Sequence, residues 1–358
     1  MGRTLQKFLL AVLLLALIAI VGLPYLSQWA VRSLATGEFR RAESVWRTKY
    51  VAPFRARLEL RAFDALEAKA AELRSSRECF PSGVAKLGAF YEETFGRLPQ
   101  ERMRDPDAWL LHLERLREWV DTRPGSITAR VALAHALIGR AWAARGGGWA
   151  SSVSEARAQS FEHDLDEARQ LLLSCAPAAR DEAEWYRALM KTQHGLGDDP
   201  AYRETYRIAF DRFPEDERFH IGMAGHLMPR WFGQPGEWER FAESCASQLP
   251  DSIGDEMYVR MLVDQDRFAL NLFREHPQLS WERTRRGADA WHRRCPGSTQ
   301  PMSALALFAW QTGHREDARR AFEAIGDTLE LDVWHFDFRF GDARKWAQAG
   351  VPALANRD

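Results

Sequence analysis

Two acid–serine pairs, Glu43-Ser44 and Glu243-Ser244, are the first places in this 358-residue chain where acid–base hydrolysis can be sought. A glutamate placed to protonate a leaving group could cleave an envelope polysaccharide. Glu43, however, follows closely on an apolar N-terminal tract. Glu243 shares its segment with Trp238, Phe241 and Cys245, which recur with the spacing of a packed helix face. No separate hydrolase domain remains to be placed around either pair. Metal chemistry fares no better. His163, Asp164 and Asp166 form the densest ligand-like group, but such residues also suit an acidic first helical turn, favoured by the helix dipole. His220 and His226 are six residues apart, about 120° around a helix, and cannot grip one ion together. HExxH and CxxC are absent, as are the P-loop, GxGxxG, GxSxG and SxxK patterns. Gly146, Gly147 and Gly148 follow a helical stretch rather than a strand, so they read as a hinge and not as a phosphate loop. The sequence designates no catalytic residue, no metal ligand and no cofactor.

Binding is the better-supported chemistry. Tryptophan and arginine are the residue types richest in interface hot spots, and the chain has 14 tryptophans. Trp142, Arg145 and Trp149 gather around the glycine triplet, and Arg230, Trp231 and Trp238 form a second group. These six are the candidate partner-binding residues. Packing offers each an alternative role: Trp149 could plug one end of the fold, and the prolines and glycines of the second group shape a turn.

The elements that must position these residues are helical. Trp109, Leu110, Leu113, Leu116 and Val120 recur at three- and four-residue steps, as do Leu66, Ala70 and Leu73. The one period-2 tract, Trp334, Phe336, Phe338 and Phe340, has no partner strand, so it reads as a closing segment packed on the last helices. The helices come in pairs. Leu305, Ala306, Gly313, Ala318 and Phe322 carry the spacing of the 34-residue tetratricopeptide repeat (TPR). Leu189, Gly197, Tyr206, Ala209 and Pro214 match a second unit, and Gly233 and Pro250 recur 36 residues after Gly197 and Pro214. The expected fold is all-α, a TPR-like α-superhelix of stacked helix pairs, irregular at both ends. From Leu137 to Ala168 about twenty-two residues more than the repeat allows intervene. They predict an insertion around residues 142–160 that leaves the repeat with Trp142, Arg145 and Trp149 on it.

The segments Ala129–Val153 (ARVALAHALIGRAWAARGGGWASSV) and His226–Ala242 (HLMPRWFGQPGEWERFA) resemble an uncharacterised bacterial family, domain of unknown function 4034. Residues 63–73 and 86–92 are similar to its opening part, so the resemblance spans roughly residues 50 to 350. It rests on tryptophan, glycine and proline placements at helix ends. It therefore implies a helical fold and brings no catalytic residues.

Residues 8–26, FLLAVLLLALIAIVGLPYL, form an uncharged run long enough to span roughly 28 Å as a helix. Tyr25 and Trp29 stand at its far edge, where amphipathic rings favour headgroups. The rival reading is a cleaved signal peptide; the one small-x-small pair nearby, Ser33-Leu34-Ala35, lies well beyond the run. The expected organisation is a basic tail at 1–7, a transmembrane anchor at 8–26, a juxtamembrane helix or linker at 27–50 and a TPR-like domain at 51–358. Arg3 and Lys7 favour a cytoplasmic N-terminus, giving a single-pass inner-membrane protein with its bulk in the periplasm. Net charge is −1, which excludes an electrostatic footprint for nucleic acid. Of the four cysteines, Cys175 and Cys245 fall at small-residue positions and read as reduced core thiols; Cys79 and Cys295 have no assigned place. The function expected is a scaffold or protein–protein interaction module with a protein or peptide partner in the envelope. Two alternatives stay open: an immunity or inhibitor protein against an envelope-targeted toxin, and an envelope hydrolase with an unrecognised site.

Overall fold

A computed structural model describes residues 42–146 and 153–349. Among the described residues the chain forms seventeen α-helices, one 3-10 turn and no strand, with one isolated antiparallel bridge between Cys79 and Ala85. The fold is all-α. No described helix is long and apolar enough to cross a membrane; the run at 8–26 lies outside the described residues.

Local chemistry sets the helix ends. Asp105 accepts hydrogen bonds from the Asp107 and Ala108 amides with Pro106 in the first turn, starting Pro106–Thr122. Ser126 caps Ile127–Arg145 and Ser280 caps Trp281–Arg294 in the same way. Gly313, at φ 81°, ends Gln300–Thr312 and turns the chain into Arg315–Ile325. Leu305, Ala306, Ala318 and Phe322 are buried along this helix pair. Gly197 does the same between Ala183–Leu196 and Asp199–Arg212.

Three helices, Ile127–Arg145, Asp251–Asp266 and Gln300–Thr312, are buried on nearly every side. An interior helix needs no polar stripe, so one-sided patterning is absent from them. Amphipathic helices such as Glu237–Gln248, Trp281–Arg294 and Arg315–Ile325 cover the outside. The first described helix, Glu43–Glu59, meets the far end of the chain: the Glu43 amide donates to Glu330 at 3.4 Å and Arg47 bonds Asp332. That contact closes the helical array around a central cleft.

Several expectations change. Among the described residues, most of the excess after Leu137 is helix rather than loop. Ile127–Arg145 continues two turns further, through alanine-rich AWAAR, before Gly146 stops it, and Glu155–Ser174 resumes soon after. Trp142 and Arg145 therefore sit on a helix. Trp149 lies outside the described residues. The boundary at residue 50 falls inside Glu43–Glu59, whose Val51, Phe54 and Leu58 join the core. The aromatic tract at the C-terminus is a short helix, Leu331–Trp334, a break at His335 (φ 58°) and a further helix, Asp337–Gln348. Trp334 and Phe340 close on Phe322, whereas Phe336 and Phe338 stack on each other in solvent. His163, Asp164 and Asp166 lie mid-helix rather than in a first turn, and Asp164 is buried by an ion pair with Arg140.

Candidate functional site

Ile127–Arg145 approaches the chain at Gly96 so closely that a Cβ on Gly139 would lie 2.0 Å from the Gly96 carbonyl oxygen. Only glycine permits that contact. It sets Trp142, one turn further along, against His194 of the helix Ala183–Leu196 and against Trp231. Three adjoining cavities open there. All three are lined by Glu92, Arg97, Ile221, Asp264 and Arg267, so they form one continuous cleft.

The floor of the cleft is ionic. Glu92 faces Lys191 at 3.0 Å, Arg187 at 3.1 Å and Arg97 at 3.4 Å. Burial opposes its charge, but these three cations hold its carboxyl well below the usual range. Behind it Glu184, fully buried, pairs with Arg218, which also binds Asp216 at 2.6 Å. Burial works against the Arg218 charge as well, and Asp216 and Glu184 more than offset it. His135, also buried there, is pushed down to about 3, by burial first and by the Lys191 charge second. Seven cations line the joined cavities (Arg47, Arg97, Arg187, Lys191, Arg218, Arg260 and Arg267) against five carboxylates. Just behind the lining, Glu184 and Asp216 pair with Arg218, Glu256 with Arg260 and Glu43 with Arg47, so the floor of the cleft is a network of both signs without a cationic excess.

Its other end, of about 500 Å³, is aromatic. The Arg145 guanidinium lies 5.4 Å from the Trp142 ring centre, 5.8 Å from that of Trp231 and 5.9 Å from that of Phe161. Arg230 lies over Trp231 at 5.6 Å and over Phe268 at 4.9 Å, and Arg267 covers Phe268 at 4.7 Å. Under this rim a hydrogen-bonded chain runs from Asp199 to His226 Nε2 at 2.8 Å and from His226 Nδ1 to His194 Nδ1 at 2.9 Å. Tyr202 stacks on His226 at 3.7 Å and Phe232 covers its other side at 4.6 Å. Burial pushes His194 down to about 3 and His226 in the same direction.

Of the six residues singled out in the sequence, the structure brings four together: Trp142, Arg145, Arg230 and Trp231. Trp238 is 1% exposed and packs on His276, so its side chain is closed to a partner. Elsewhere, Glu43 accepts from the Ser82 amide at 2.8 Å and hydroxyl at 2.6 Å, a structural role. Glu243 is exposed and pairs with Arg283 at 3.2 Å. Cys175, Cys245 and Cys295 are buried free thiols and Cys79 is an exposed one. Among the described residues no group of three or more histidines, cysteines or carboxylates is placed to hold a metal ion. Sequence reading passed over Glu92, Lys191, His194, Asp199 and Phe268. The available signal was His194 and Asp199 flanking a repeat turn, with His226 entering one repeat later; judging His226 only against His220 on its own helix hid that pairing. No family model, curated protein or solved structure matches the chain.

Proposed function

We propose that this chain is a membrane-tethered interaction module of the cell envelope, a TPR-like set of helix pairs whose central cleft holds a segment of a protein partner. The carrying observation is the cleft itself: an aromatic rim of Trp142, Trp231 and Phe268 continuous with a floor of charged side chains of both signs. Rims that combine tryptophan and arginine are typical anchoring points, and a groove bearing both signs of charge fixes a partner's register. The glycine-turned pairs at 183–212 and 300–325 support the repeat reading, and the uncharged run at 8–26 supports the tether. In this reading the bulk of the chain lies in the periplasm, so a periplasm-active reporter fused after Asp358 is active; activity only of a cytoplasmic reporter would refute that orientation.

The functional test uses a photo-crosslinking residue in cells, placed at Phe268 on the rim or at exposed Leu60 as a remote control. One protein species should crosslink from position 268 and not from position 60. The paired change Arg97→Glu and Arg267→Glu should abolish it. Equal capture from both positions, or capture indifferent to the charge reversal, refutes the cleft as the binding site.

A further inference from the structure

The relay beneath the rim has a direction. Asp199 accepts from His226 and from Arg203 Nε, each at 2.8 Å, and these bonds hold its carboxyl below the usual range despite some burial. A carboxylate only accepts, so the His226 Nε2 proton points at Asp199. Burial keeps the His226 ring neutral, which leaves its Nδ1 bare. The 2.9 Å contact then requires the other Nδ1, on His194, to carry the hydrogen and donate. His194 is neutral too, so its remaining nitrogen, Nε2, is a bare lone pair. Among the described residues no hydrogen bond reaches that atom, and it is not enclosed. His194 lines the aromatic end of the cleft, with the Trp231 ring 4.7 Å away and that of Trp142 6.0 Å away, centre to centre. A flipped His226 ring would put carbons where its two nitrogens stand and lose both bonds, so the bonds to Asp199 and His194 fix the order.

We propose that the aromatic end of the cleft is a subsite for a ring that carries a hydrogen-bond donor, with His194 Nε2 as the acceptor, and that its occupant is a tyrosine or tryptophan side chain of the protein partner. Aromatic walls select a flat ring. An acceptor that the bound ring covers selects a phenol or an indole over a bare phenyl, because a ring without a donor would shut the lone pair from water and leave it unpaired. The side-chain source follows from continuity: the subsite opens into the same charged cleft along which a polypeptide would lie. The inference rests on the interaction-module reading for its source and on the relay alone for its chemistry.

The test uses the full-length chain, in detergent, with N-acetyl-tyrosinamide, N-acetyl-phenylalaninamide and free phenol as probes. Nitrogen-15 spectra of the histidine-labelled chain should show His194 Nε2 unprotonated, shifting when the tyrosine probe binds. That probe should bind about tenfold more tightly than the phenylalanine probe. His194→Phe, which keeps a ring there, should bring the two to parity. A protonated Nε2, or equal binding of both probes to the unchanged chain, overturns the acceptor. The spectrum needs no variant, so misfolding of His194→Phe leaves the test intact. Phenol bound while N-acetyl-tyrosinamide is excluded would overturn the side-chain source and assign the subsite to a free small molecule. Crosslinking from position 268 can fail while the tyrosine preference holds, which separates failure of the interaction module from failure of this subsite.

Discussion

Trp142 and Trp231, from separate helical units, meet edge to face with ring centres 6.2 Å apart and share one guanidinium, that of Arg145. The two patches that looked independent in the sequence are one surface. Their two kinds of side chain should respond differently to truncation. Trp142 also packs on Phe161 at 5.0 Å, so Trp142→Ala should lower stability by about 1–3 kcal/mol, below the fully buried range because the ring is half-buried. Arg145→Ala should change stability by less than about 1 kcal/mol. It should still weaken partner capture by about 2 kcal/mol, some thirtyfold. Melting curves and a quantitative pull-down on the same two variants check both. An Arg145→Ala chain that melts far lower would make the guanidinium a structural strut.

Gly139 offers a second check, on what positions the site. Its Cβ would collide with backbone rather than with a movable side chain, so relief requires a helix to shift. Gly139→Ala should cost about 1–3 kcal/mol and weaken capture as Trp142 is displaced. Gly125, with nothing within 4 Å of its would-be Cβ, is the control, and Gly125→Ala should stay within about 0.5 kcal/mol. Equal melting of the two variants would remove the close approach as a determinant of the cleft.

Phe322 tests the helix pairing. It is buried, with its ring centre 5.9 Å from that of Trp334 and 5.5 Å from that of Phe340. Phe322→Ala should cost about 3–5 kcal/mol, read as loss of denaturant midpoint at unchanged slope. An unchanged midpoint would mean that the C-terminal helices do not close on this ring.

The helix pairs were legible because their signals are local. Gly313 and Gly197 punctuate, and Leu305, Ala306, Ala318 and Phe322 keep a fixed spacing between them. Gly233 shows where such reading stops. Its spacing marked a repeat turn, yet it is needed because its Cβ would fall 1.8 Å from the Leu227 carbonyl oxygen, a clash invisible in one dimension. The ionic floor was illegible for a related reason. Glu92, Arg187 and Arg97 come from separate elements, and a sequence window sees each as one more charged residue on a solvated face. Trp142 and Arg230 were found because residue type alone marks hot spots; that same rule included Trp238, which is core.

Acid should destabilise the fold through its buried histidines. His112, whose Nε2 meets the Phe95 carbonyl at 2.8 Å, is pushed down to about 4, and His135 and His194 to about 3, in each case by burial above all. An unfolded chain protonates histidine near 6.5. Between roughly 6.5 and 4 the unfolded state therefore binds protons that the folded state refuses, and stability falls as pH falls. Their contribution is complete above about 6.5, and each histidine removes up to about 2 kcal/mol on going to pH 5, less for half-buried His194. Glu93, Glu182, Glu217, Glu330 and Asp264 act in the opposite sense. Burial raises them, so the folded state takes up their protons first and gains stability as pH drops through their range. Their gain sets in above the usual carboxyl range and offsets part of the histidine loss, so the fall should be steepest just below 6.5 and flatten as these carboxyls take up protons. His112→Gln preserves a donor for the Phe95 carbonyl and removes one titration, so this variant should lose up to about 2 kcal/mol less stability between pH 7 and 5. Denaturant melts of both chains at those two pH values decide it. Parallel losses would show that His112 takes its proton in the folded state as readily as in the unfolded one.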